Sequence, residues 1–163
     1  MKGKIILALI LLAGAGVYAY LTGAKRDDTG TIVEAGQLDP FSLQVGDCFN
    51  DPSELGDAPD ATPEVSSLAA MPCAEPHDNE VYAVFDMDIP TYDSDEGMFN
   101  QAFDACQQRF DTFVGVSYEE SEFDILALYP TQQSWQQDDR EVVCAVFAMS
   151  GEQLVGSVAG TAR

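Results

Sequence analysis

The sequence predicts an α+β fold: a small antiparallel sheet with one main amphipathic helix packed across it, clamped by two disulfides and preceded by one N-terminal transmembrane helix. Three observations predict it. The chain opens on a long apolar run, its four cysteines all lie beyond that run at wide spacing, and one extended stretch of helical periodicity sits among short strand-like segments.

The apolar run comes first. From Ile5 to Leu21 every residue is apolar, Gly or Tyr, and 20 residues separate Lys4 from Lys25, close to the number a helix needs to span a hydrocarbon core. A cleaved secretory signal is the rival reading, with Ala13-Gly14-Ala15 and Thr22-Gly23-Ala24 as small-residue sites. An uncleaved anchor is preferred, because the run exceeds a usual signal core and ends at Lys25-Arg26, an interfacial stop. Residues 1–24 are thus assigned to an anchor or signal segment, 25–40 to a polar linker and 41–160 to an exported domain.

Within that domain, Phe41-Ser42-Leu43-Gln44-Val45 alternates apolar with polar and predicts a half-buried strand. Asp51 to Glu64, acidic and proline-punctuated, predicts a surface loop. Val65–Met71 and Glu80–Met87 predict two strands, joined through the turn-rich Pro72–Asn79 by an antiparallel connection. The clearest helix follows. Ser94 or Asp95 can cap it, Phe99, Ala102, Phe103, Cys106, Phe110, Phe113 and Val114 recur on one face that must be buried, and Gly115 ends it. Phe123–Tyr129, Glu141–Met149 and Leu154–Val158 predict three more strands.

Charge restricts the partners. The chain holds 28 Asp and Glu against 7 Lys and Arg. After Arg26 only Arg109, Arg140 and Arg163 oppose all 28 acids, a formal charge of −25. Nucleic acid is excluded as a partner and an anionic lipid surface is disfavoured, since both need clustered cations. At 46% hydrophobic residues, the chain is too apolar for a disordered acidic tail.

Cys48, Cys73, Cys106 and Cys144 form no close metal-binding pair. An even count behind an export segment predicts two disulfides in an oxidising compartment. Three pairings are open. Cys48–Cys73 with Cys106–Cys144 is preferred, closing loops of about 26 and 39 residues worth roughly 3.5 and 3.9 kcal/mol in the chain-entropy model.

Four ordered blocks carry a resemblance: Leu43-x-x-Gly46-Asp47-Cys48-Phe49; Pro72-Cys73-x-x-Pro76-His77-x-x-Glu80-Val81-Tyr82; Cys106-x-x-x-Phe110-x-x-Phe113-Val114-Gly115; and Pro130-x-x-x-x-Trp135-x-x-x-Asp139-Arg140-x-Val142-x-Cys144. Over about residues 43 to 150 the chain resembles the septum-formation domain, a family of mostly actinobacterial exported or membrane-anchored proteins. It departs at Asp138, where a glycine commonly precedes the Asp-Arg pair, which puts the shape of that turn in question. The resemblance implies a link with cell division or the cell envelope and carries over no catalytic or ligand residue.

Candidate chemistry centres on His77, the single histidine, flanked by Asp78 and Glu80 as possible metal ligands or acid partners. The plainer reading is a turn histidine whose ring bonds the backbone. A Gly-x-Ser-x-Gly elbow is absent, and paired cysteines leave no free thiol. Asp86, Asp88, Asp93, Asp95 and Glu96 are acids that break the EF-hand register. Arg140 is expected to pair with Asp47 or Asp139, and Trp135 to be tucked into the core or to anchor a partner. The expected protein is therefore a non-enzymatic, membrane-anchored exported domain without cofactor or metal, an interaction or accessory module for an envelope or division protein, held on the extracytoplasmic side. Two other classes stay in view: a metal-dependent or hydrolytic cell-wall enzyme using His77 with Asp78 or Glu80, and a soluble secreted ligand-binding domain.

Overall fold

In a computed structural model, residues 23–51 and 65–163 are described. The apolar run read as an anchor or signal lies outside the described residues, as does nearly all of the acidic loop from Asp51 to Glu64. Among the described residues no helix is long and apolar enough to cross a membrane.

The chain forms an α+β domain. Short strands β1 (Lys25–Arg26) and β2 (Ile32–Glu34) pair as a separate antiparallel ribbon. The main sheet takes β3 (Gly36–Leu38), β4 (Cys48–Asn50), β5 (Leu68–Met71), β6 (Asn79–Asp86), β7 (Phe123–Leu128) and β8 (Glu141–Ala148), in the spatial order β3-β5-β4-β6-β8-β7 with every pair antiparallel. One long helix, α1 (Asp95–Val114), packs across it, and a one-turn helix, α2 (Gln132–Trp135), precedes β8.

Alternation along β8 shows why the sheet is covered on both sides. Val142, Cys144 and Val146 join the cluster of Ala102, Cys106, Phe110 and Val114 from α1, while Val143 and Ala145 join Ile32, Leu43, Phe49 and Leu68 on the other face. The N-terminal segment thus supplies a third layer opposite α1. At Tyr82 a β-bulge adds a residue to β6, so that Tyr82 and Ala83 both pack with the helix-side cluster.

Helix α1 keeps its expected ends. The Ser94 hydroxyl accepts from the Gly97 amide, Asp95 and Glu96 occupy the first turn, and Gly115 closes the helix at φ 92°. Its buried stripe is narrower than expected and begins at Met98: Met98, Ala102, Cys106, Phe110 and Val114 are buried, whereas Phe99 is exposed and Phe103 and Phe113 are half-buried. The Cys106–Cys144 bridge fixes which face meets β8, and a stripe passing through Cys106 at four-residue steps leaves Phe99 at the rim, tilted against Phe103 and edge-on to Tyr129.

Four other expectations are corrected. Residues 25–40, read as a linker, carry β1, β2 and β3, because Ile32 buries into the face opposite α1. The expected strand 41–45 is a 3-10 turn over Pro40–Ser42, since the Asp39 carboxylate accepts from Phe41 N and Pro40 suits the first turn position. β5 and β6 are not neighbours; β4 inserts between them. Finally, 154–158 makes a single bridge, Leu154 with His77, because Gly156 turns at φ 81° and Val158 N donates to a side chain instead of a ladder.

Candidate functional site

Among the described residues the buried polar side chains, Asp47, His77, Asn79 and Glu80, lie at or just before the starts of the paired strands β4 and β6. Gly46, at φ 90°, turns the chain so that Gly46 N donates to Val81 O and Val81 N donates to Asp47 O, extending the β4–β6 pairing past Cys48. Asp47 then faces Arg26. Both guanidinium terminal nitrogens donate to its carboxylate at 2.6 Å, and they also donate to the Gly30 and Ser42 carbonyls. Gln44 N donates to Asp47 as well. The Asp47 hydrogen bonds raise the Arg26 pKa further, against the opposing pull of burial.

Cys48 lies opposite Glu80 in the β4–β6 register, which sends both side chains to the helix side of the sheet. Cys48 bonds to Cys73, and the two sulfurs and a Glu80 carboxylate oxygen lie within 4.8 Å of one another. Both sulfurs are consumed by the bridge, so this trio offers a metal one carboxylate and no thiolate. Glu80 instead accepts from Val158 N at 2.7 Å, fully buried, and so ties the C-terminal segment to the sheet. From there Gly160 N and Ala162 N donate to Phe113 O and Val114 O, satisfying the last carbonyls of α1.

His77 is wholly buried. Its backbone exchanges both hydrogen bonds with Leu154, and its Nδ1 donates to the Glu75 carbonyl at 2.8 Å, a role inferred because a carbonyl only accepts. Nε2 is buried without a hydrogen-bond partner, as is the Tyr82 hydroxyl, whose pKa burial drives upward. The proposed trio of His77, Asp78 and Glu80 is not brought together by hydrogen bonds. Asp78 accepts from Asp51 N and Gln153 Nε2, and Glu80 serves Val158. Asn79, which the sequence did not single out, donates to Asp51.

A second cluster surrounds Trp135. Thr131 and Ser134 form a capping box that starts α2 and turns the indole inward. The Arg140 guanidinium stacks 3.6 Å over its face and Tyr92 meets it edge-on at 5.9 Å. Burial, then the hydrogen bond to Asp95, push Tyr92 up to about 12. Arg140 donates to the Trp135 and Asp139 carbonyls, with the Asp138 carboxylate 4.0 Å away. The expected pairings of Arg140 with the Asp47 or Asp139 carboxylate are thus replaced, Asp47 being taken by Arg26 and Asp139 accepting from Glu141 N. Asp138 adopts φ 66°, the region glycine enters freely, so the residue that departs from the family pattern keeps a glycine-like turn.

Arg26 is the residue the sequence reading missed. Its signal was the scarcity of cations: a buried Asp47 needs one, and few are available. Assigning Lys25-Arg26 to the membrane boundary hid it.

Fold and site together define a two-disulfide α+β domain whose buried polar side chains are mostly committed to joining its own layers. The chain belongs to the septum-formation family, whose model, described as "Septum formation", matches residues 45–163. No curated protein and no solved structure matches the chain.

Proposed function

We propose that this protein is a membrane-anchored exported domain acting as a non-enzymatic interaction or accessory module in septum formation at the cell envelope. The observation that carries this reading is the use made of the buried acids. Asp47 holds Arg26, Glu80 holds Val158, and both sulfurs beside Glu80 are oxidised, so the polar interior connects segments of the chain. Membership of the septum-formation family supports the link with division. Two disulfides suit an oxidising compartment, and the Ile5–Leu21 run suits a single span that leaves the domain outside.

A fluorescent fusion at the C-terminus, followed in dividing cells of the native host, tests the reading. Signal concentrated at the forming septum and recovered with membranes supports it. Uniform or cytosolic signal overturns it. Because His77 Nε2 lacks a partner, the metal-dependent alternative gets its own test. If micromolar zinc raises the melting temperature by several degrees and His77→Ala abolishes the rise, the non-enzymatic module reading fails.

A further inference from the structure

We infer that the layer opposite α1 is a lipid-seating surface: Val33, Phe41 and Val45 insert into the zwitterionic interfacial zone of the bilayer that the N-terminal run enters. This rests on the membrane-anchor reading above. The first argument is distance along the chain. The apolar run ends at Leu21, yet Gly23 already bridges Gln37 and Ala24 N donates to Gln37 O. The fold therefore begins two residues beyond the run, with no spacer to lift the domain off the surface.

The second argument is what Arg26 gathers. It lies five residues after Leu21, at most about 18 Å of extended chain, and it is bonded to Ser42 O and Asp47, while its own backbone pairs with Ile32. Phe41 precedes Ser42, Val45 lies between Gln44 and Asp47, and Val33 follows Ile32. All three are thereby held near the anchor's exit. They are also turned outward: Phe41 is 63% exposed, Val45 59% and Val33 54%, while Ile32 and Leu43 of the same layer are buried against the sheet. Single exposed apolar residues are ordinary, but three on the layer that leads to the apolar run have an apolar medium within reach.

Local charge selects the lipid. Asp27, Asp28 and Asp39 adjoin these residues, Lys25 is paired with Glu34 and Arg26 with Asp47. Among the described residues both cations of this layer are thus engaged with carboxylates, so the seat works by apolar insertion beneath neutral headgroups.

The test uses the full chain in phosphatidylcholine vesicles containing brominated lipid. Phe41→Trp adds a reporter at the surface, and Phe99→Trp, exposed on α1 across the sheet, is the control. Expected is a blue-shifted emission from position 41, quenched at least about twofold by bromine placed near the interface, with little quenching at position 99 or of Trp135. Chains that float with the vesicles but show no quenching at position 41 overturn the seat and leave the anchor standing. Chains that do not float overturn both. A blue shift that follows protein density and ignores brominated lipid assigns the surface to a second copy and also overturns the seat.

Discussion

Arg26 and Asp47 are joined by two hydrogen bonds of 2.6 Å, with the Asp47 side chain almost fully buried. This pair fastens the N-terminal ribbon to the loop that leads into Cys48. It connects a segment preceding the family-matched region to the first residues within it.

Breaking the pair from one side strands the other charge. Arg26→Ala or Asp47→Ala is expected to cost about 3 kcal/mol, discounted from the fully buried case because Arg26 keeps some solvent contact. The double variant should cost clearly less than the sum. Urea melts of the four proteins give the coupling energy, and strict additivity would show that the two residues act independently.

Cys106–Cys144 is wholly buried and ties α1 to β8, whereas Cys73 is partly exposed. Mild reductant should open Cys48–Cys73 first. Peptide mapping of alkylated samples reads the order. Removing the inner bridge as the Cys106→Ala/Cys144→Ala pair should cost about 4 kcal/mol, and a loss near zero would contradict its clamping role.

Asp138 holds a positive φ with its side chain in solvent. Asp138→Gly relieves that backbone at the cost of unfolded-chain entropy, for a net gain of about 0.5 kcal/mol. Thermal melts decide the sign; a marked loss would mean that its carboxylate matters to Arg140.

Glu141 lies opposite Asp86 in the β6–β8 register. Burial first, then the charges of Asp139, Asp86 and Asp39, raise its pKa. The sign follows from linkage. A raised folded-state pKa makes the contribution of Glu141 most favourable below the unfolded value and lost as pH rises through the folded one. Glu141→Gln should therefore stabilise at pH 7 by roughly 0.5 kcal/mol, and the gain should disappear at acid pH. A gain that is independent of pH would reject this origin.

Glu80→Ala removes the acceptor for Val158 N and should cost about 2 kcal/mol. Hydrogen exchange locates the damage. Val158, Gly160 and Ala162 should exchange faster, while Cys106 in the middle of α1 should hold its protection.

Much of the fold was legible because the signals were local. Ser94 and Gly115 bounded α1, strand-forming stretches marked β5 to β8, and loop lengths favoured the disulfide pairing that the structure contains. Where local chemistry competed, the reading slipped. Asp39 and Pro40 favoured a capped turn over the alternation of 41–45, and Gly156 broke the last apolar stretch. At two or three residues each, β1 to β3 are too short to show an alternation, and so gave almost no periodic signal. The site was harder still, because hydrogen bonds between distant segments leave no spacing to read.

The sequence by itself determined the acidic character, the amphipathic helix α1, the cysteine frame and the family, since each is written in composition or in short ordered intervals. Only the tertiary structure decided that Asp47 takes Arg26 and not Arg140, that Glu80 holds Val158, and that the N-terminal segment closes the second face of the sheet. Such pairings depend on which groups arrive together once the layers pack. A buried charge bonds whichever partner the backbone brings within reach, and reach is a property of the folded chain.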